Sequence, residues 1–282
     1  MRKSVALIGY PLGHTLSPAM HNAAFKKLGL DYEYLPVEVA PKELAKALKG
    51  FRVPRFAGFN VTIPHKEAVI PLLDEITPVA KVIGAVNTVV NRDGSLVGYN
   101  TDGAGFIDSL KEDAQVDPKG KRIVVLGAGG ASRAVSVMLA EAGAKEITIT
   151  DIQADKAGEL SKYIDEYFEV VCNCVAADGK DLQDKINAAD ILVNTTPVGM
   201  HPKTNHSALG ERMKLPSGLL VYDLVYNPSE TKLLATAKSA GCKTCSGLGM
   251  LVRQGALAFT LWTGEEAPVE AMRQAAEEVL AG

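Results

Sequence analysis

Residues 123–132 read Ile-Val-Val-Leu-Gly-Ala-Gly-Gly-Ala-Ser, and they constrain the fold more than any other stretch. Four apolar residues without a polar break make a strand buried on both faces. A glycine turn follows at once, then helix formers to about residue 140. A lone glycine motif means little. A strand, a Gly127-x-Gly129-x-x-Ser132 turn and a helix in that order suit a dinucleotide. Gly127 permits the tight turn, Gly129 lets a pyrophosphate approach the backbone, and a small third residue lets helix and strand pack closely. Free N–H groups at the helix start then hold the anion, helped by the helix dipole. The candidate binding backbone is Gly127, Ala128, Gly129, Gly130 and Ala131. Ser132 stands where a third glycine is usual, and a turn needed only for packing is the plainer alternative.

More strand-like runs follow at 146–150, 170–175, 191–193 and 219–222, with helical segments between most of them. Their apolar residues are continuous, which indicates a parallel sheet covered on both faces. The first hundred residues carry a separate series, with strands at 5–9, 32–37, 57–61, 85–91 and 96–99 and helices at 18–28, 41–49 and 78–83. Asn91-Arg92-Asp93-Gly94 suits a hairpin turn. Residues 247–262 and 268–280 read as helices, and pattern alone does not say which half they join. At 282 residues, with roughly 100–200 residues per domain, two domains are expected. The fold class is α/β: a Rossmann-type doubly wound parallel sheet with a second α/β domain.

Composition excludes several partners. Lys plus Arg number 30 against 33 Asp plus Glu, a net charge of −3, so no basic excess exists to hold nucleic acid. No apolar run approaches the roughly 18–20 residues of a membrane span. The start mimics a signal peptide, but its apolar run stops at Gly9-Tyr10-Pro11 and no cleavage site follows. Residues 5–9 read instead as a strand of a cytoplasmic protein. Cys242-x-x-Cys245 could be a redox pair or half a zinc site, and Cys172 with Cys174 would share one strand face. The 67 residues between the pairs are unlike a compact zinc knuckle, so reduced structural thiols are expected. The five histidines show no metal-ligand spacing, and no metal is expected.

Asp151 ends the second strand of the glycine-turn unit, 24 positions after Gly127. A carboxylate there accepts from both ribose hydroxyls of an adenosine and repels a 2′-phosphate. Ile152 offers that phosphate no charge. The pair favours NAD and leaves NADP usable; the alternative is an aspartate capping the next helix. Polar clusters occupy 9–18, 60–66, 84–88 and 100–103, by strands. Their hydroxyls, amide, ammonium and carboxylate suit a small hydroxylated acid gathered at strand ends. Each alone also reads as turn chemistry, with Ser17 capping before Pro18, Thr62 before Pro64 and Asp102 as a cap. His14 and His65 adjoin these clusters, and a lone loop histidine is more often a structural hydrogen-bonder.

Over essentially its whole length the chain resembles the shikimate dehydrogenase family. The matching stretches are 9–22, 60–66, 84–88, 100–103, 127–132, 194–200, 223–228 and 246–254. The resemblance implies a reversible, nicotinamide-dependent reduction of 3-dehydroshikimate to shikimate. It implies a discontinuous substrate domain over 1–101 and 247–282, a dinucleotide domain over 102–246, and an active site in the cleft between them. It implies that Thr15 and Ser17 hold the substrate carboxylate. Thr62, Asn87 and Gln254 would take the ring hydroxyls with Tyr226 nearby, and Lys66 and Asp102 would form the catalytic pair. Leu224, Tyr226 and Gly247 match positions near the nicotinamide, and Thr196 and Pro197 line the cofactor cleft. The family usually has serine where Thr15 stands. Its NADP-using members carry Asn-Arg-Thr where this chain has Asp151-Ile152-Gln153, which is similar to the branch that uses NAD and often oxidises quinate. A homodimer is left open.

Hydride transfer to a ketone leaves negative charge on oxygen, and a positioned proton donor accelerates it by about 10²–10⁴-fold. Lys66 would donate on reduction and accept on oxidation. A neighbouring carboxylate favours the ammonium and burial favours the amine, so the chemistry belongs to the pair, with Lys66 first. One rival reading is an NAD-dependent quinate or dual quinate/shikimate dehydrogenase. Another, in a different class, is a non-catalytic dinucleotide-binding sensor, against which Lys66, Asp102, Asn87 and Gln254 together speak.

Overall fold

A computed structural model describes residues 2–13 and 15–281. The chain forms two compact units. One comprises residues up to Gly105 with those from Leu251 onward, and the other is Phe106–Met250.

The first unit contains β1 (Lys3–Gly9), α1 (Ser17–Lys27), β2 (Tyr32–Glu38), α2 (Leu44–Phe51), β3 (Phe56–Val61), α3 (His65–Ala68), β4 (Glu75–Ile76), α4 (Pro78–Ile83), β5 (Thr88–Arg92) and β6 (Ser95–Tyr99). α5 (Asp102–Glu112) begins in it. The sheet order is β2-β1-β3-β5-β6-β4. β1 runs parallel to β2 and β3, whereas β5 is antiparallel to both β3 and β6. Asn60 therefore faces Thr88, and Thr88 faces Tyr99. The loops after β1, β3 and β6 and the loop before β5 consequently share one sheet edge. The strand expected over 85–91 starts only at Thr88. The preceding residues are drawn off as Val86 N donates to Lys66 O and Asn87 N to Tyr99 O. The β5–β6 hairpin turns through Asp93 and Gly94, both at positive φ (53° and 95°), the backbone that Asp-Gly turns supply.

The second unit contains β7 (Arg122–Leu126), α6 (Gly130–Glu141), β8 (Glu146–Thr150), α7 (Ala154–Tyr167), β9 (Val171–Cys174), α8 (Lys180–Ala188), β10 (Ile191–Asn194), β11 (Leu220–Asp223), α9 (Lys232–Ser239) and β12 (Lys243–Ser246). All pairings in the order β12-β11-β10-β7-β8-β9 are parallel. Ile123 and Val125 pack with Val135, Leu139 and Leu160 on one face, and Val124 and Leu126 pack with Ile186 and Leu233 on the other. Burial on both faces is why β7 carries no polar residue from 123 onward. The chain winds from β7 through β8 to β9, then returns to place β10 on the other side of β7, making a switch point between β7 and β10. β12 reads Lys-Thr-Cys-Ser and lacks the apolar run that would reveal it.

The last two helices are α10 (Leu248–Thr263) and α11 (Val269–Ala281). From Leu251 they belong to the first unit, where the Trp262 indole donates to Val89 O at 3.0 Å and α11 packs on α1.

Candidate active site

The shared sheet edge of the first unit gathers a polar cluster. Lys66 stands on α3 just after β3, Asp102 opens α5 after β6, and Asn87 precedes β5. Lys66 Nζ lies 2.6 Å from Asp102 Oδ2. Asn87 Nδ2 donates to Asp102 Oδ1 at 2.9 Å and Thr101 Oγ1 at 2.9 Å, and lies 3.3 Å from Gln254 Oε1. The Thr101 N–H donates to Asn87 Oδ1 at 2.8 Å, and this fixes which way the amide faces. Asp102 is therefore an acceptor on both oxygens. Its side chain is 9% exposed and that of Lys66 20%, enough for a ligand to reach the pair from one side. Asn60 supports the cluster, donating to Thr88 Oγ1 and Asn87 O while accepting from the Tyr34 hydroxyl at 2.7 Å.

The helix-cap alternatives fail at two positions. Asn100 Oδ1 accepts from the N–H groups of Asp102 and Gly103 at 3.1 and 3.3 Å, so Asn100 caps α5 and the Asp102 carboxylate does not. Ser17 is the first residue of α1, whose N-cap is Leu16, so the Ser17 side chain does not cap that helix. Thr15 Oγ1 accepts from Ser17 N at 3.3 Å. Thr62 is half-buried beyond β3. His65 is buried with Nε2 2.6 Å from Val39 O, a structural position. His14 lies outside the described residues. Thr101 was legible only as part of the 100–103 cluster, since its role depends on the backbone pairing.

The glycine turn of the second unit has the geometry its sequence demands. Gly127 has φ +106°, and a Cβ there would stand 2.7 Å from Thr195 Oγ1. Ser132 is fully buried, and its hydroxyl donates to Gly127 O at 2.6 Å. Serine thus replaces the third glycine by tying helix to turn. Gly129 precedes α6, no side chain caps that helix, and no acidic residue stands in its first turn. A Cβ on Gly129 would meet nothing within 4 Å. Open space at a helix start whose first turn carries no acidic residue fits a diphosphate.

Two N–H groups of the turn are already committed, Gly127 N donating to Thr150 O at 2.7 Å and Ala128 N to Asp151 Oδ2 at 2.8 Å. Asp151 Oδ1 accepts from Gln153 N at 2.8 Å. Asp151 thus ties the end of β8 to the turn rather than capping α7, whose N-cap is Gln153. Ile152 is 90% exposed. Thr196 gives both its N–H and its hydroxyl to Asn194 Oδ1, at 3.0 and 2.7 Å, and Pro197 is exposed beside it. Leu224 and Tyr226 follow β11, and burial pushes the Tyr226 phenol up. A Cβ on Gly247 would run into Leu224 O, so only glycine fits that approach.

The candidate residues divide by unit. Thr15, Ser17, Thr62, Lys66, Asn87, Asp102 and Gln254 belong to the first; residues 127–131, Asp151, Ile152, Thr196, Pro197, Leu224, Tyr226 and Gly247 belong to the second. Among the described residues, Cys172, Cys174, Cys242 and Cys245 form no disulfide, and Cys172 is buried while Cys174 is exposed. Among the described residues, no group of three His, Cys, Asp or Glu could hold a metal, and no helix is long and apolar enough to cross a membrane.

Known proteins resemble the chain over nearly its whole length. Family models match for the shikimate dehydrogenase substrate binding domain over residues 7–89, for shikimate / quinate 5-dehydrogenase over 109–225, and for the shikimate 5'-dehydrogenase C-terminal domain over 247–277. A shikimate dehydrogenase (NADP(+)) of Methanopyrus kandleri is 51% identical over 276 residues, covering 98% of this chain and 95% of that protein. The chain belongs to the shikimate dehydrogenase family. Among solved structures, a shikimate dehydrogenase in complex with NADP+ has a TM-score of 0.92 at 41% identity, over 99% of this chain and 96% of that one. The Listeria monocytogenes shikimate 5-dehydrogenase in complex with shikimate and NAD has a TM-score of 0.90, also at 41% identity, over the same 99% and 96%. As a shikimate dehydrogenase family member, the chain is an oxidoreductase acting on a CH–OH group, and its α/β architecture with a Rossmann-type unit is that of its relatives.

Proposed function

We propose that this enzyme interconverts 3-dehydroshikimate and shikimate, with NAD favoured and NADP usable as coenzyme. The observation that carries the reading is Lys66 Nζ at 2.6 Å from Asp102, with Asn87 and Gln254 converging on the same cluster. A nicotinamide, when bound, would supply or take the hydride at the ring carbon that bears the reacting oxygen. As charge grows on that oxygen during reduction, the Lys66 ammonium gives it a proton; in oxidation the neutral amine removes the hydroxyl proton. Asp102 holds Lys66 in place, and its remaining lone pairs accept from a substrate hydroxyl. Thr15 and Ser17 take the carboxylate, Thr62, Asn87 and Gln254 take the ring hydroxyls, and Tyr226 lies near the substrate. The N–H groups of Gly129, Gly130 and Ala131 would hold the diphosphate of the coenzyme.

The coenzyme preference rests on residues 151–153 alone. A 2′-phosphate at the end of β8 would meet the Asp151 carboxylate with no cation at Ile152 to offset it. The curated relatives are named for NADP+, whereas the Listeria structure holds NAD. For the acid, quinate has an extra hydroxyl on the carbon that bears its carboxylate, and the Thr15 methyl narrows that side of the pocket. The test is kcat/KM for shikimate and quinate, each with NAD and NADP. Shikimate with NAD should rank first. A preference for quinate or for NADP would overturn that part of the reading, and coenzyme binding without turnover would leave only the sensor.

A further inference from the structure

One buried carboxylate has no part in the chemistry above, yet stands where the loops of the second unit meet. Asp223 ends β11 and is 0% exposed. Its Oδ1 accepts from Asn194 Nδ2 at 2.8 Å and Val225 N at 3.1 Å, and its Oδ2 from the Thr231 hydroxyl at 2.6 Å. Asn194 ends β10 and is equally buried. Its carbonyl oxygens hold the neighbouring segments: Oδ1 takes Thr196 N and Oγ1, and the backbone O takes Leu224 N at 2.9 Å. Thr195 and Thr196 in turn lie against the glycine turn, where a Cβ on Gly127 would meet Thr195 Oγ1 at 2.7 Å and Thr196 Cγ2 at 3.0 Å. The Asp223–Asn194 pair therefore joins the loops after β10 and β11 and, through the threonines, the turn after β7. These three segments carry most of the candidate coenzyme residues and flank the switch point.

None of the groups bonded to Asp223 is charged. Burying a carboxylate among neutral partners is unfavourable, so an apolar residue would serve the core better unless those donors need an acceptor in that place. We propose that Asp223 is a positioning residue for the nicotinamide coenzyme: its oxygens set the loops bearing Thr196–Pro197 and Leu224–Tyr226 in their receptive conformation. The inference rests on the coenzyme reading given above. It assigns the work to acceptor geometry and not to charge. An asparagine at 223 can still accept from Asn194 and Val225 and can donate to the Thr231 oxygen.

The test measures equilibrium Kd in the full chain, for NADH and NADPH by nicotinamide fluorescence and for shikimate alone by calorimetry. Asp223→Ala strands three buried donors and should weaken both coenzymes about tenfold or more. It should move shikimate Kd less than about threefold, because most proposed substrate contacts lie in the first unit. Asp223→Asn should recover most of the coenzyme affinity. Thr231→Val should follow the alanine variant in direction and Thr231→Ser should restore binding, which decides the matter if Asp223→Ala does not fold. An Asp223→Ala protein that binds coenzyme as wild type does, or one that loses coenzyme and shikimate affinity together, overturns the inference. A wild-type chain that binds neither coenzyme overturns it along with the functional reading; an unaffected Asp223→Ala overturns this inference alone.

Discussion

Asp102 faces two partners of different freedom. Asn87 can only donate to it, because the Thr101 N–H holds the other end of that amide. Lys66 donates as an ammonium and can accept once neutral. A moving proton therefore belongs on the lysine side, with Asp102 as its anchor. Lys66→Ala should lower kcat by about 10²–10⁴-fold while shikimate KM moves little, as steady-state kinetics would read; near-normal turnover would remove Lys66 from the chemistry. Asp102→Asn should hurt both constants, because it sets an N–H against Lys66 or against Asn87. Asp151 poses a different question, since both its oxygens already accept backbone N–H groups. Asp151→Asn with Ile152→Arg should raise the kcat/KM ratio of NADP over NAD about tenfold or more, as a repulsive charge gives way to an attractive one. An equal fall with both coenzymes would show that the tie to the glycine turn matters and the charge does not.

The elements differ in how openly their sequences declare them. β7 is plain because alternate residues serve opposite cores, so every position from 123 to 126 is apolar. The turn after it is equally plain, and it supports a test. Gly127→Ala puts a Cβ at positive φ and 2.7 Å from Thr195 Oγ1. Strain and displacement together should cost about 1–3 kcal/mol and raise coenzyme KM. Thermal melting and kinetics would show both, and an unchanged melting temperature would mean the backbone relaxes freely. Other parts of the fold stay hidden. β12 has no apolar run, and β5 starts late because Lys66 O and Tyr99 O capture the N–H groups just before it. The Asn87 contact to Gln254 spans 167 residues, and the Asp223–Asn194 pair exists only because β10 and β11 lie side by side. Residue types that suit a polyhydroxylated acid were readable in the chain; the hydrogen bonds that orient them come from strand pairing, which no local pattern encodes.

On the scale of the whole chain, acid is the condition to which stability should respond through one nameable group. His21 on α1 is fully buried, and among the described residues neither ring nitrogen has a hydrogen-bond partner. Its ring stacks on Tyr34 at 4.4 Å and 7°, and tilts against Trp262 at 5.3 Å. It thus joins α1, β2 and α10 in the unit that also carries Ser17 and Lys66. Burial pulls this imidazole down from 6.5 to about 3. Between those values the unfolded chain binds the proton and the folded chain does not, so stability rises with pH. The contribution is complete above about pH 6.5 and is lost as pH falls toward 3, at up to about 1.4 kcal/mol per pH unit. His21→Leu removes the titration and keeps the site apolar. Urea unfolding of both proteins at about pH 8 and about pH 5 should show the stability gap shifting toward the variant by about 2 kcal/mol. Every other titrating group is common to the two chains and cancels in the comparison. Curves that stay parallel across that range would mean His21 finds a proton acceptor in the folded state, and the acid sensitivity of the unit would then have to come from its carboxylates.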